Sequence, residues 1–185
     1  MSKHLKFYLS AILAGLIIGI LSGWTIITYK INNSFTVSGS WLYSPYLGAK
    51  DADPKTRSII ARTGVFALNK KEALYFIAET DYSGEPLNQN CGYEIKVKNL
   101  PGRWWSITAY NNDYFLISNL YKKYSVTSAN FNGTYLITVG PTDQMILTNP
   151  NEGEFSLALR IYNPQADIEI ASINLPEIYL TGCTT

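Results

Sequence analysis

Phe155-Ser156-Leu157-Ala158-Leu159-Arg160-Ile161-Tyr162 places a large apolar side chain at every second position and a smaller or polar one between. Successive side chains of an extended strand point to opposite faces, so this pattern reads as a strand with one face in a core and the other outside it. Working outward, Tyr93, Ile95 and Val97 alternate with Glu94, Lys96 and Lys98 in the same way. Arg103–Tyr110 is a further strand, stopped by Asn111-Asn112-Asp113. Leu74–Ala78 is a short apolar run that ends at the turn cluster Asp81-Tyr82-Ser83-Gly84. Tyr114–Ile117 and Lys123–Thr127 are two more candidates. Asn132-Gly133, between Phe131 and Thr134–Val139, has the composition of a two-residue hairpin turn. Six or seven short strands with turn signals between them define an all-β domain, a sandwich or a barrel.

The segment before these strands has a different texture. Asp53-Pro54 combines a capping residue with a proline suited to the first helical position, which predicts a short helix. Ile59, Ile60, Thr63, Val65 and Phe66 follow with rough helical spacing, and a second helical start is expected at Asn69. Asn32–Leu47 is polar and aromatic and reads as a tether. From Phe7 to Tyr29 there is no charged residue, enough for one helix across a hydrocarbon core roughly 30 Å thick. Lys3, His4 and Lys6 precede this run and only Lys30 closely follows it, a bias that puts the N-terminus in the cytoplasm. Trp24 and Tyr29 suit the outer headgroup layer. A cleaved signal peptide is the competing reading, but its apolar core is normally about 7–15 residues and Leu21-Ser22-Gly23-Trp24 is a poor cleavage site. The expected organisation is a cytoplasmic N-terminus and transmembrane anchor over 1–30, a tether leading into the domain over 31–50, and an extracytoplasmic β-domain over 51–185.

The charges after the anchor nearly cancel. From Lys30 onward thirteen Lys and Arg face fourteen Asp and Glu, with no basic block or stripe, so no nucleic-acid partner is expected. The sole histidine is His4. The outer domain therefore lacks the imidazole of nucleophilic triads, of histidine-ligated metal sites and of the usual near-neutral general base. Cys91 and Cys183 both fall in the outer part. An even pair in an oxidising compartment is a disulfide candidate; two unrelated thiols are the alternative. A bridge closing about ninety residues is worth up to about 4–5 kcal/mol in the chain-entropy model.

In strand geometry Trp105, Ile107 and Ala109 share one face, which reads as core. Trp104, Ser106, Thr108 and Tyr110 share the other, an aromatic pair interleaved with hydroxyls on which a sugar ring could stack. Arg160 and Tyr162 lie on the polar face of the later strand and join them if the two strands are neighbours. The plainer reading is that these aromatics only cover the sheet. Asp51 and Asp53 supply too few oxygens for a calcium loop, so no metal is expected. No G-x-G-x-x-G or G-x-x-x-x-G-K loop occurs, and no cofactor is expected. Asn132-Gly133-Thr134 fits a glycosylation sequon, which hairpin geometry already explains.

Several stretches, taken in order, resemble a known family. Trp41 with Gly48, Asp51-Ala52-Asp53-Pro54-Lys55-Thr56-Arg57, Glu72-Ala73-Leu74-Tyr75-Phe76, Asp81–Leu87, Cys91-Gly92-Tyr93, Arg103–Tyr110, Tyr124-Ser125, Leu157–Tyr162 with Pro164, and Pro176 to Gly182-Cys183 are similar to the domain-of-unknown-function family numbered 1214 (DUF1214), in its short membrane-anchored bacterial form. The resemblance implies a jelly-roll-like β-sandwich, a place in the bacterial envelope and pairing of Cys91 with Cys183. It implies no activity and carries over no catalytic residue. Where members often have Asn-Trp-Leu-Pro before the penultimate strand, this chain has Met145-Ile146-Leu147-Thr148, so a ligand site built on that tryptophan is not expected.

The reading that follows is a domain held at the inner membrane and facing the periplasm. It binds a glycan or an envelope protein without catalysis, through Trp104, Thr108, Tyr110, Arg160 and Tyr162. One alternative is a hydrolase or lyase acting on envelope carbohydrate with two carboxyls drawn from Asp81, Glu85, Asp113 and Asp143, since that chemistry requires just two acids across a cleft. Another is a structural partner in a membrane complex, marked by a large exposed apolar patch.

Overall fold

The computed structural model describes residues 3–32, 35–49, 52, 57, 68–130, 135–142, 144–150 and 153–184. It begins with one long helix, α1 (Lys3–Asn32), whose His4–Ile26 stretch is 23 residues with mean hydropathy 2.0, long and apolar enough to cross a membrane. Ten strands follow: β1 (Thr36–Ser38), β2 (Trp41–Tyr43), β3 (Ala73–Ala78), β4 (Cys91–Val97), β5 (Gly102–Asn111), β6 (Ser125–Thr127), β7 (Tyr135–Gly140), β8 (Ile146–Leu147), β9 (Phe155–Pro164) and β10 (Glu177–Cys183). They form two sheets, in the orders β1-β2-β3-β9-β5-β6 and β10-β4-β7-β8. All pairs are antiparallel except β7 with β8. The fold is the expected all-β sandwich behind one apolar helix.

The alternation that opens the sequence becomes the centre of the larger sheet. Phe155, Leu157, Leu159 and Ile161 of β9 are buried, and Ser156, Ala158, Arg160 and Tyr162 are half-buried on the outer face. Leu74, Phe76 and Ala78 of β3 lie opposite Ile161, Leu159 and Leu157; Trp105, Ile107 and Ala109 of β5 lie opposite the same three from the other side. The smaller sheet answers with Tyr93, Ile95 and Val97, Ile137 and Val139, Ile146 and Ile178, all in one core. Gly102 opens β5 where β9 comes closest: a Cβ there would run into Ile161 Cγ2 and the Tyr162 carbonyl.

Two long-range ties fasten the sandwich, one between the sheets and one within the smaller sheet. The indole of Trp41 donates to the Pro176 carbonyl at 2.6 Å, buried, so β2 of the larger sheet is fastened to the run that leads into β10 of the smaller one. Cys91 and Cys183, directly paired in register on β4 and β10, are joined in a disulfide across a sequence separation of 92. Close by, the Tyr93 hydroxyl accepts the Asn88 N–H at 2.8 Å. Burial pushes this phenol above its ordinary value; the Asn88 N–H opposes the rise and the Asp81 carboxylate adds to it.

Several local expectations are corrected. Asn132-Gly133 lies outside the described residues; β6 before it and β7 after it belong to different sheets. Asn69 starts a single turn: its carbonyl accepts from Glu72 and Ala73 and its side chain from Lys71, and β3 begins at once. Of Tyr114–Ile117 only Leu116 pairs, in an isolated bridge to Tyr110, and Lys123–Thr127 shrinks to the three residues of β6. Asn32–Leu47 is more than a tether, because β1 and β2 extend the larger sheet and bury Trp41. The helix expected from Asp53-Pro54 falls outside the described residues.

Two outcomes follow for stability, both measured by urea unfolding of the full chain in detergent. Cys183→Ser lowers it by up to about 4–5 kcal/mol, the loop-closure value, and a reducing agent does the same to the wild type only. Because the folded state keeps the Tyr93 phenol protonated at a pH where the unfolded chain ionises it, its contribution is intact below about pH 10 and is lost as pH rises beyond. Tyr93→Phe therefore shows a smaller alkaline decline than the wild type between pH 9 and 12.

Candidate functional site

The outer face of the larger sheet is built from the positions between the core residues. Register places Trp104 opposite Tyr162, Ser106 opposite Arg160, Thr108 opposite Ala158 and Tyr110 opposite Ser156. On the other side of β9, Ala73 faces Tyr162, Tyr75 faces Arg160 and Ile77 faces Ala158. All five residues singled out from the sequence thus fall on one face of two adjacent strands. Trp104 and Tyr162 meet with ring centroids 4.9 Å apart at 48°. Arg160 Nη2 donates to the Tyr110 hydroxyl at 2.9 Å, and its guanidinium lies 5.8 Å from that ring's centroid.

The arginine reaches Tyr110 diagonally, over the row that holds Ala158 and Thr108. Beneath it Ser106 and Thr108, flanked by β9 on one side and β6 on the other, are only 5 % and 7 % exposed on an outward face. Among the described residues no carboxylate pairs with Arg160. A guanidinium has five N–H donors, and the Tyr110 hydroxyl is its one hydrogen-bond acceptor among the described residues. Chemically this is a cation held by an aromatic, flanked by an aromatic pair: a surface suited to stacking a ring and donating to its oxygens.

Tyr75 belongs to the same face and was not singled out from the sequence. Its signal was the two-residue period of Leu74–Ala78, hidden because Ile77, which shares its face, is apolar as well. Its hydroxyl accepts the Leu68 N–H at 3.0 Å.

Two clefts lie at opposite ends of this sheet. One of about 700 Å³ is lined by Tyr43, Lys70, Lys71, Leu74 and the run Pro164–Ala171. The other, about 190 Å³, lies beside Ser156 and takes Glu79, Asn111, Asn112, Tyr114 and Glu154. The acids considered for hydrolysis do not line either cleft. Asp81 Oδ1 accepts from the Ser83 and Glu85 N–H groups and shapes its own turn, Glu85 and Asp113 are exposed, and Asp143 lies outside the described residues. Two carboxylate pairs share clefts instead, Glu79 with Glu154 in the smaller and Asp167 with Glu169 in the larger, and neither pair carried a sequence signal.

Residues 72–166 match the model of the family described as a protein of unknown function, DUF1214. The chain belongs to the DUF1214 family. The match runs from the start of β3 to just past β9 and so contains the whole outer-face cluster. Among solved structures, the VPA0106 protein from Vibrio parahaemolyticus is similar to this DUF1214 chain at 24% identity with a TM-score of 0.58, over 70% of this chain and 36% of that one. This likeness shows the fold, and the present chain spans little more than a third of that protein's length. An uncharacterised protein from Burkholderia cenocepacia is more distant, at 10% identity and a TM-score of 0.36, over 59% of this chain and 29% of that one. No curated protein matches the chain.

The inside and outside assignments can be ranked by stability. Trp105→Ala empties a core position and costs about 3–5 kcal/mol, whereas Trp104→Ala one residue earlier costs distinctly less. Tyr110→Phe removes only the acceptor for Arg160 and costs about 0.5–1.5 kcal/mol. Urea titration of the three variants side by side gives the order.

Proposed function

We propose that this DUF1214 chain is a membrane-tethered, non-catalytic binding module that takes a glycan of the bacterial envelope on the outer face of its larger sheet. The observation that carries the reading is Arg160, half-buried without a carboxylate partner among the described residues and set between Tyr110 and the Trp104–Tyr162 pair. A half-buried cation is held at a cost unless its donors are used, and stacking rings on both sides with hydroxyls beneath fit the alternating apolar and polar faces of a sugar. α1 serves as a single-pass anchor in the inner membrane, with the N-terminus cytoplasmic and the sandwich periplasmic. The length and apolarity of α1 support this, as do the basic residues before it and a disulfide that needs an oxidising compartment.

The test is a thermal-shift series on the oxidised full chain in detergent, against peptidoglycan fragments and other envelope glycans. Binding to the native state raises the midpoint by mass action. The expected result is a dose-dependent rise from one glycan class, abolished in Trp104→Ala/Tyr110→Ala while the unliganded protein still unfolds cooperatively. No rise with any glycan, from protein that melts cooperatively, rejects the reading.

A further inference from the structure

The largest run of exposed apolar side chains among the described residues of the sandwich lies in the β5–β6 connection, which leaves β5 at its Tyr110 end. Tyr114 and Phe115 are each 71% exposed, Leu116 47%, Leu120 96% and Tyr121 74%. Taking roughly 150–250 Å² for an aromatic side chain, the three rings alone offer on the order of 300–550 Å² at those exposures. That already equals the largest patch of a typical monomer, about 300–600 Å². Leu116 and Leu120 carry it toward the roughly 800 Å² per partner of a stable interface.

These side chains stand on braced turns. Asn111 Oδ1 accepts the N–H groups of Asp113 and Phe115; Asn119 Oδ1 accepts that of Lys123, and its amide donates to the Ile117 carbonyl. Ile117, between the two turns, is buried in the core. Tyr114 and Lys122 adopt left-handed backbone, with φ of 63° and 54°, a conformation that costs energy in residues with a Cβ and recurs at functional sites. A surface fixed in this way loses little freedom when it is covered.

We infer that these turns dock on the same turns of a second copy of the chain, the two lying side by side with parallel anchors. The inference rests on α1 being a retained anchor, as proposed above. Register places the turns away from the bilayer: β1 enters at Thr36 from the end of the sheet that holds Ala73, Gly102 and Pro164, whereas Asn111, at the other end, leads into the turns. The membrane that holds α1 is therefore not the surface that covers them. Copies anchored in one membrane share a direction and carry the patch at the same height, and confinement raises their effective concentration. A two-fold contact sets each flank of the patch on the opposite flank of its mate. In the chain Asp113 precedes these apolar residues and Lys122 and Lys123 follow them, and neither Asp113 nor Lys122 pairs with another charge among the described residues, so the turns carry opposite charges at their two ends for a second copy to match. Along α1, Gly15, Gly19 and Gly23 fall on one face, and a Cβ at any of them would meet nothing in this chain. Such a ridge lets two membrane helices approach closely.

Light scattering of the full chain in mild detergent over a concentration series tests this. The wild type is expected to be a dimer that dissociates on dilution. Leu120→Asp/Tyr121→Asp, at exposed positions, should weaken it by about 30-fold or more. Asp113→Lys should weaken it about 2–5-fold, and Asp113→Lys/Lys122→Asp should restore it. A monomeric wild type overturns the inference, as does a dimer insensitive to the Leu120 and Tyr121 changes. So does a monomer that floats with anionic phosphatidylglycerol vesicles through those two residues, since the patch then contacts a second lipid surface. Retention of the chain in membranes after an alkaline carbonate wash separates the premises: release rejects the anchor, whereas retention with a monomeric wild type rejects only the pairing.

Discussion

The register of β9 between β3 and β5 is the constraint on which the rest of this structure depends. Leu159 lies between Phe76 and Ile107, Leu157 between Ala78 and Ala109, and Ile161 between Leu74 and Trp105. A slip of one residue on either side would turn every buried side chain outward and every outer one inward. The same register composes the other face, with Arg160 between Tyr75 and Ser106 and Tyr162 between Ala73 and Trp104. Core and candidate site are two sides of one set of pairings, so the outer cluster is held by the full hydrophobic energy of the core beneath it.

The periphery is fastened by fewer, longer-range means. β1 and β2 have three residues each, too few to be stable as a hairpin alone. Trp41 solves this by burying its ring and spending its N–H on the Pro176 carbonyl. The disulfide does the same for the far end of β10, whose Leu180–Cys183 stretch is exposed and carries a bulge. Between these ties the outer aromatic face and the apolar turns meet at the Tyr110 end of β5, where Leu116 bridges to Tyr110.

What the sequence revealed follows from how local each signal is. β4, β5 and β9 were legible because a buried face and an open face impose a two-residue period that needs no knowledge of partners. Their adjacency was not legible, and it alone converts Trp104, Thr108, Tyr110, Arg160 and Tyr162 from separate residues into a cluster. That β6 and β7 belong to different sheets was not legible either, because turn propensity is local while sheet membership is set by distant strands. Tyr114–Ile117 misled: aromatic and branched residues favour strands through burial, and here only Ile117 is buried. The short β1 and β2 are too brief to display a period, and the cleft carboxylates Glu79 and Glu154 come together only through tertiary structure.

The position of β9 in the chain also sets when folding can happen. It occupies residues 155–164 of 185, yet it is the shared partner of β3 and β5, which precede it by many residues. A ribosome delivering the chain from its N-terminus releases β3 with β2 on one side and β5 with β6 on one side, each with the edge that β9 takes left open. β4 waits in the same way for β7 and then for β10. Contacts of such long range form slowly, and open edges invite association with other chains. Neither sheet can therefore be completed until most of the chain has been synthesised. Under the proposed anchor reading, that delay leaves the strands unassembled while they follow α1 across the membrane.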